Sequence, residues 1–308
     1  MSVLSMDFSA SCVRFAEGSF DDNKLSITNC ACVELPPTVY NGQNLGDIGI
    51  FSEIIRNAIR DNGFTSKTAS ITIGSSAVVY KAMEAPKIKV PKVLAKVIAT
   101  EMKKNIINSQ ENMVADYIQL REKEDNLDVF GIMMPRYLVE SYQNLILRCG
   151  LQPVSMQVYT SSLFNLVTEL YNFSDLTGYI FANVMKNKEM HLIMFEKYED
   201  IFARTVKIET NSMEIKSSMS EEDSESAISS IVDHISKMIQ FQSSRNRHAP
   251  IRKVFMVGEL SGNAQFVSRI AEGLIDVETT GFSPSGGVSM SAAGSFSEYA
   301  VCIGALVY

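Results

Sequence analysis

Apolar residues gather in short runs at residues 3–8, 12–16 and 24–35, parted by the polar breaks Ser9-Ala10-Ser11 and Asp21-Asp22-Asn23. This spacing predicts consecutive, hairpin-linked strands. After Pro36-Pro37 the period changes. Phe51, Ile54, Ile55, Ala58 and Ile59 recur at three- and four-residue spacing up to Asn62-Gly63, which predicts a helix with one buried face. A compact apolar run at 69–73 follows at once, so strands, helix and strand form the first unit. Such a unit needs a crossover connection, and the sheet is therefore expected to be mixed.

Between residues 83 and 134 the texture differs, with Pro86, Pro91, a basic helix expected over 92–104 with Leu94, Val97, Ile98 and Met102 inward, and a charged hairpin-like stretch over 117–132. This segment reads as a small inserted subdomain. A helix over 137–148 ended by Gly150, a strand over 154–158 and a helix over 161–171 return the chain to the first unit. From Gly178 a second strand-rich run, 179–184, 191–195 and 201–208, repeats the opening of the chain at a coarse level, as an ancient duplication would. The polar stretch 209–225 leads into a long helix with the stripe Ile228, Ile231, Val232, Ile235, Met238 and Ile239, its acidic start Glu221-Glu222-Asp223 suited to the helix dipole. A strand over 253–257, a helix over 264–274, a Gly/Ser-rich loop over 281–297 and a final helix over 298–307 complete the chain. The last helix is expected to pack back on the first half. The implied division is a first lobe of residues 1–172 plus 296–308, interrupted by the subdomain at about 83–134, and a second lobe of 173–295.

Composition narrows the function classes. The 308 residues are 46% hydrophobic and 20% charged, which suits a folded globular protein. With 28 basic against 35 acidic residues and a net charge of −7, the surface as a whole repels phosphate backbones, and no nucleic-acid role is expected. No run approaches the apolar length of a membrane span, and the N-terminus has no leader pattern, so a cytoplasmic location without direct membrane insertion is expected. Five scattered cysteines fit a reducing compartment. The three histidines have no second ligand at zinc-like spacing, and Cys30 and Cys32 share one strand face without forming a recognisable site. The basic spot Arg245-Asn246-Arg247-His248 reads as a solvated loop.

Neither G-x-x-x-x-G-K-[ST] nor G-x-G-x-x-G occurs, which removes P-loop and Rossmann phosphate cradles. The first hairpin offers Asp7-Phe8-Ser9-Ala10-Ser11 instead: a carboxylate at a strand end, positioned to hold a hydrated Mg²⁺, and small residues whose N–H groups and hydroxyls can form an anion nest. The same residues are ordinary turn formers, so the hairpin alone leaves both readings open.

Order and spacing over the whole chain resemble the two-lobed α/β actin-like (ribonuclease H-like, duplicated) fold. Within it the chain looks most like the PilM family of type IV pilus assembly proteins, relatives of the division protein FtsA. Residues 7–13, Asp-Phe-Ser-Ala-Ser-Cys-Val, are similar to the family's D-I-G-S-S-S-[IV] first phosphate loop. Gly150-Leu151-Gln152-Pro153 resembles its G-L-x-P stretch before a helix, and Ile201-Phe202-Ala203-Arg204 its I-F-x-R strand. Residues 235–241, Ile-Ser-Lys-Met-Ile-Gln-Phe, are similar to I-x-R-x-[LI]-x-F, and residues 299–304 to the closing A-x-x-[IL]-G helix.

The resemblance implies ATP and Mg as ligands, with Asp7, Ser9, Ala10, Ser11, Asn183, Lys237 and Gly258 as the positions nearest to them. Three departures weaken that implication, the first being Phe8 and Ala10 in the first loop, where the pattern has other residues. Asn183-Val184-Met185 stands where the family has D-I-G, without the carboxylate that positions metal or water and without the glycine that lets backbone approach phosphate. Gly258-Glu259 stands for the adenosine-side G-G, and a carboxylate there repels phosphates if it faces the pocket. The expectation is a scaffold with degenerate ATP binding and little or no hydrolysis, which docks the cytoplasmic tail of a single-span inner-membrane pilus protein and couples it to the pilus motor. Its groove is expected in the first lobe, with residues the sequence does not identify. An active ATPase or small-molecule kinase on the same fold is the alternative, and would need the missing carboxylate and glycines. An FtsA-like membrane-tethered polymer is disfavoured by the lack of a basic amphipathic segment after the closing helix.

Overall fold

The computed structural model describes residues 2–9, 12–36, 39, 45–74, 77–104, 112–171, 178–196, 200–215, 219–246, 250–284 and 286–307. The chain runs through β1 (Val3–Phe8), β2 (Cys12–Asp21), β3 (Lys24–Glu34), α1 (Ile48–Asp61), β4 (Thr68–Ile73), β5 (Val79–Pro86), α2 (Pro91–Lys103), β6 (Met113–Glu122), β7 (Asn126–Pro135), α3 (Arg136–Arg148), β8 (Gln152–Val158) and α4 (Tyr159–Leu170). It continues through β9 (Gly178–Val184), β10 (Glu189–Glu196), β11 (Asp200–Lys207), α5 (Glu221–Arg245), β12 (Ile251–Val257), α6 (Ala264–Gly273), β13 (Glu278–Gly281), β14 (Val288–Met290) and α7 (Phe296–Gly304).

Two sheets carry the same pattern. The first has the order β14-β3-β2-β1-β4-β8, antiparallel from β3 to β1 and parallel from β1 to β8. The second has the order β11-β10-β9-β12-β13, antiparallel from β11 to β9 and parallel from β9 to β13. Three hairpin-linked strands followed by crossover strands therefore occur twice, which is the duplicated, two-lobed actin-like arrangement. A third, antiparallel sheet of order β5-β7-β6 forms the inserted subdomain, and Leu94, Ile98 and Met102 of α2 pack on it.

Helices α4 and α7 lie between the two large sheets. One apolar cluster joins Ala16 and Ile27 of the first sheet, Leu163, Leu166 and Val167 of α4, Val301 and Ile303 of α7, and Phe181, Phe195 and Phe255 of the second. The two helices approach so closely that a Cβ on Gly304 would stand 2.3 Å from the Ser162 carbonyl oxygen. As expected, α7 returns to the first sheet, where Ser5 Oγ donates to the Cys302 carbonyl at 2.6 Å. On the far side of the second sheet, the α5 stripe Ile228, Ile231, Ile235 and Met238 is buried.

Four strands depart from the expected pattern, one of them β13, an edge strand beside β12 in a stretch where no element is expected. β2 continues to Asp21 through Glu17-Gly18-Ser19, because buried Glu17 is satisfied by the N–H groups of Thr65 (2.9 Å) and Ser66 (2.5 Å). β5 has no counterpart among the expected elements: it is an edge strand, half-exposed and charged at Lys81 and Glu84, so no clean alternation marks it. β14 lies inside the expected 281–297 loop and is only a three-residue edge pairing with β3. No described helix is long and apolar enough to cross a membrane.

Candidate functional site

Hairpin register decides what faces the gap between the lobes. In the β1–β2 pair, Asp7 stands directly opposite Arg14, so a carboxylate and a guanidinium share one face of the first sheet. In the second sheet, Val257 pairs with Asn183 at the carboxyl ends of β12 and β9. The chain then turns at Gly258 with φ +78°, and a Cβ there would lie 2.0 Å from Asn183 Oδ1. Only glycine satisfies both constraints. The Gly258 N–H is fixed to the Ser297 carbonyl at 2.9 Å, and the next residue, Glu259, is thereby aimed across the gap.

Glu259 meets the first lobe. Its Oε1 lies 3.2 Å from an Arg14 guanidinium nitrogen and accepts the Cys12 thiol at 3.1 Å, while its Oε2 accepts the Lys186 backbone N–H at 2.8 Å. The neighbouring Cys32 thiol and burial both hold the Cys12 thiol well above its ordinary pKa, so the protonated form donates. Arg14 also lies 3.7 Å from Asp7 Oδ2. The side chains of Asp7, Arg14 and Glu259 are 3%, 5% and 2% exposed, so their charges interact away from bulk water. Burial pushes the Asp7 pKa up to about 6, partly offset by Arg14 and by the Tyr159 hydroxyl. The same Tyr159 donates to the Phe8 carbonyl at 3.2 Å and stacks edge-on against His191 of the second lobe.

Asp7, Asn183 and Gly258 thus lie at the contact between the two lobes, linked through Arg14 and Glu259. Ser9 lies at its edge, but its N–H and hydroxyl are both directed to the Cys12 carbonyl, each at 3.0 Å. Ala10 and Ser11 lie outside the described residues. Lys237 stands apart, exposed on α5, where it donates to Asp233 at 2.6 Å. Arg14 was not among the expected site residues. Its signal was available in the cross-strand pairing of position 14 with Asp7, once the hairpin register is fixed by the two-residue gap after Ser9.

A triphosphate with its cation does not fit this arrangement. The unpartnered Asp7 Oδ1 is the one feature that favours a cation. Against it, phosphate oxygens would meet the carboxylates of Asp7 and Glu259, and the cation that would balance them, Arg14, is already paired. Among the described residues no group of three or more His, Cys, Asp or Glu side chains is arranged to hold a metal ion.

A second feature lies in the first lobe. A groove of about 540 Å³ runs between the inserted sheet and the first large sheet, lined by Val114, Ile118, Val139, Met156, Val158 and Phe164 among others. Two of its walls are β6 and β8, which among the described residues are the terminal strands of their sheets. Such strands carry backbone N–H and C=O groups without a ladder partner on the outer side.

The profile of the family described as Type IV pilus assembly protein PilM matches residues 5–227. Among solved structures, the chain is similar to a chain of a PilM-PilN type IV pilus biogenesis complex, with 13% identity, a TM-score of 0.76 and coverage of 99% of this chain and 97% of that one. It is also similar to the ethanolamine utilization protein EutJ from Carboxydothermus hydrogenoformans, with 9% identity, a TM-score of 0.52 and coverage of 100% and 90%. An inorganic polyphosphate/ATP-glucomannokinase from Arthrobacter sp. strain KM matches at 8% identity and a TM-score of 0.47, over 99% and 97% of the two chains. No sequence among the curated proteins matches the chain.

Proposed function

The chain belongs to the PilM family of type IV pilus assembly proteins, and from that premise we propose that it is a cytoplasmic scaffold that captures the short cytoplasmic tail of a single-span inner-membrane pilus protein and links it to the motor complex. The observation that carries the reading is the groove between β6 and β8, whose outer edges have no strand partner among the described residues. An extended tail entering it gains main-chain hydrogen bonds from an unpaired sheet edge, while Ile118, Val139, Met156 and Phe164 supply sockets for alternate apolar side chains. Asp116 on the same wall favours a basic residue in the tail. The similar chain in the solved complex was captured with PilN, which supports a partner of that kind. The lobe that would bind it comprises residues 1–172 and 296–308. Association with the inner face of the membrane would be peripheral and through the partner.

In this reading the interlobe gap takes no part in turnover, in keeping with a nucleotide site that has decayed. Synthetic peptides matching the cytoplasmic tails of single-span pilus proteins, titrated by fluorescence anisotropy, are expected to bind in the micromolar range. Val139→Arg, at a half-buried position on the groove wall, is expected to weaken binding about ten-fold or more by filling the apolar socket with a charge. A tail that binds the wild type and Val139→Arg equally, or no binding by any tail, would remove the proposal.

A further inference from the structure

Three donors from two separate segments converge on one carboxylate. Arg14 and Cys12 approach Glu259 from β2 of the first lobe, and the Lys186 N–H approaches from the turn after β9 in the second. A guanidinium together with a backbone N–H at a strand-end turn is the kind of donor set that holds a phosphate oxygen. Here the acceptor is supplied by the chain itself, at the position where the two lobes face each other.

We propose that Glu259 is a built-in anion that fills the phosphate position between the lobes, tying them together in place of a nucleotide, and that removing its side chain opens a latent oxyanion site centred on Arg14 and the Lys186 N–H. Each part of the device has a visible cause. The left-handed turn at Gly258 and the contact of Asn183 with it give the Glu259 side chain its direction into the gap. Burial of all three charged side chains, each 5% exposed or less, keeps water from competing for Arg14. Arg14 is drawn between two carboxylates, at 3.2 Å from Glu259 and 3.7 Å from Asp7, so its charge is fully committed within the chain. A nucleotide bridge can dissociate or be hydrolysed, but this bridge is covalently part of the second lobe and does neither. The lobes therefore stay tied at any nucleotide concentration. The partner groove lies elsewhere in the first lobe and shares no lining residue with this contact.

The test uses the full chain with inorganic phosphate and Mg-ATP as probes, read by isothermal titration and by thermal shift. Wild-type protein is expected to show neither heat of binding nor a shift with millimolar amounts of either probe. Folded Glu259→Gly is expected to bind at least one of them about ten-fold or more tightly than the wild type, because a facing negative charge has gone from a low-dielectric site. That gain should vanish in Glu259→Gly combined with Arg14→Met. Hydrogen exchange supplies a readout without any ligand: the Lys186 amide should be protected in the wild type and exchange faster in Glu259→Gly. If the glycine variant does not fold, Glu259→Ala also vacates the position with less backbone freedom and should bind the probes about three-fold or more tightly than wild type through loss of the charge. The proposal is overturned by wild-type binding of Mg-ATP that Glu259→Gly leaves unchanged. It is equally overturned by folded variants at position 259 that gain no affinity for either probe.

Discussion

Arg14→Met is expected to destabilise the protein by about 3–5 kcal/mol, the usual cost of removing one partner from a buried charge group. The magnitude follows from what is left behind rather than from the ion pair itself. Without the guanidinium, the Asp7 and Glu259 carboxylates, 3% and 2% exposed, remain in the gap with no opposing charge. Methionine has a similar stem and fills the space, so lost packing contributes little. The distinctive part of the prediction is rescue. Arg14→Met combined with Glu259→Gln removes a charge from each side and keeps an oxygen acceptor for the Lys186 N–H. Urea unfolding should recover about half or more of the loss in the double variant, a coupling of about 1.5–3 kcal/mol in a double-mutant cycle. Strictly additive losses would show that Arg14 and Glu259 do not act on each other and would contradict the described geometry.

What the sequence conveyed depended on whether a feature is local. The α5 stripe and the α1 face were legible because burial on one side of a helix imposes its period on the residues themselves. The duplication was legible because each half opens with the same three-strand pattern. β5, β13 and β14 were not, since edge strands owe their pairing to a neighbour and need no apolar alternation of their own. The site divides along the same line. Asp7, Asn183 and Gly258 lie at or just beyond the ends of strands whose positions follow from the pattern. The direction of Glu259 was not readable, because it depends on the φ +78° turn at Gly258 and on how the two lobes face each other. Lys237 illustrates the reverse case: family spacing singled it out, yet its place on α5 is an exposed one with an i,i+4 partner, Asp233. The groove had no sequence signature for a related reason. It is built from the last strands of two different sheets, β6 and β8, brought side by side by the inserted subdomain.

The acid stability of the protein should rest on two buried groups that pull in opposite directions across the lobe boundary. Asp7, facing Arg14, Glu259 and Tyr159, is pushed by burial from 3.8 to about 6. The native state therefore holds an extra proton between these values, and stability is lost as pH rises through that window, by up to about 3 kcal/mol. His191, held by Thr205 at 2.7 Å and stacked on Tyr159, is pushed by burial from 6.5 down to about 4. Here the unfolded chain holds the extra proton, and stability is lost as pH falls from about 6.5 to about 4, again by about 3 kcal/mol. In the wild type the two trends largely cancel between pH 4.5 and 6. Asp7→Asn should leave the histidine trend uncovered, with greater stability than wild type at pH 7.5 and a steep loss on acidification. His191→Gln, which keeps a partner for Thr205, should leave the aspartate trend and become relatively more stable as pH falls toward 4.5. Denaturant unfolding at pH 4.5, 5.5, 6.5 and 7.5 separates the variants, and two profiles that stay parallel to the wild type across this range would show that neither group titrates as its buried position dictates.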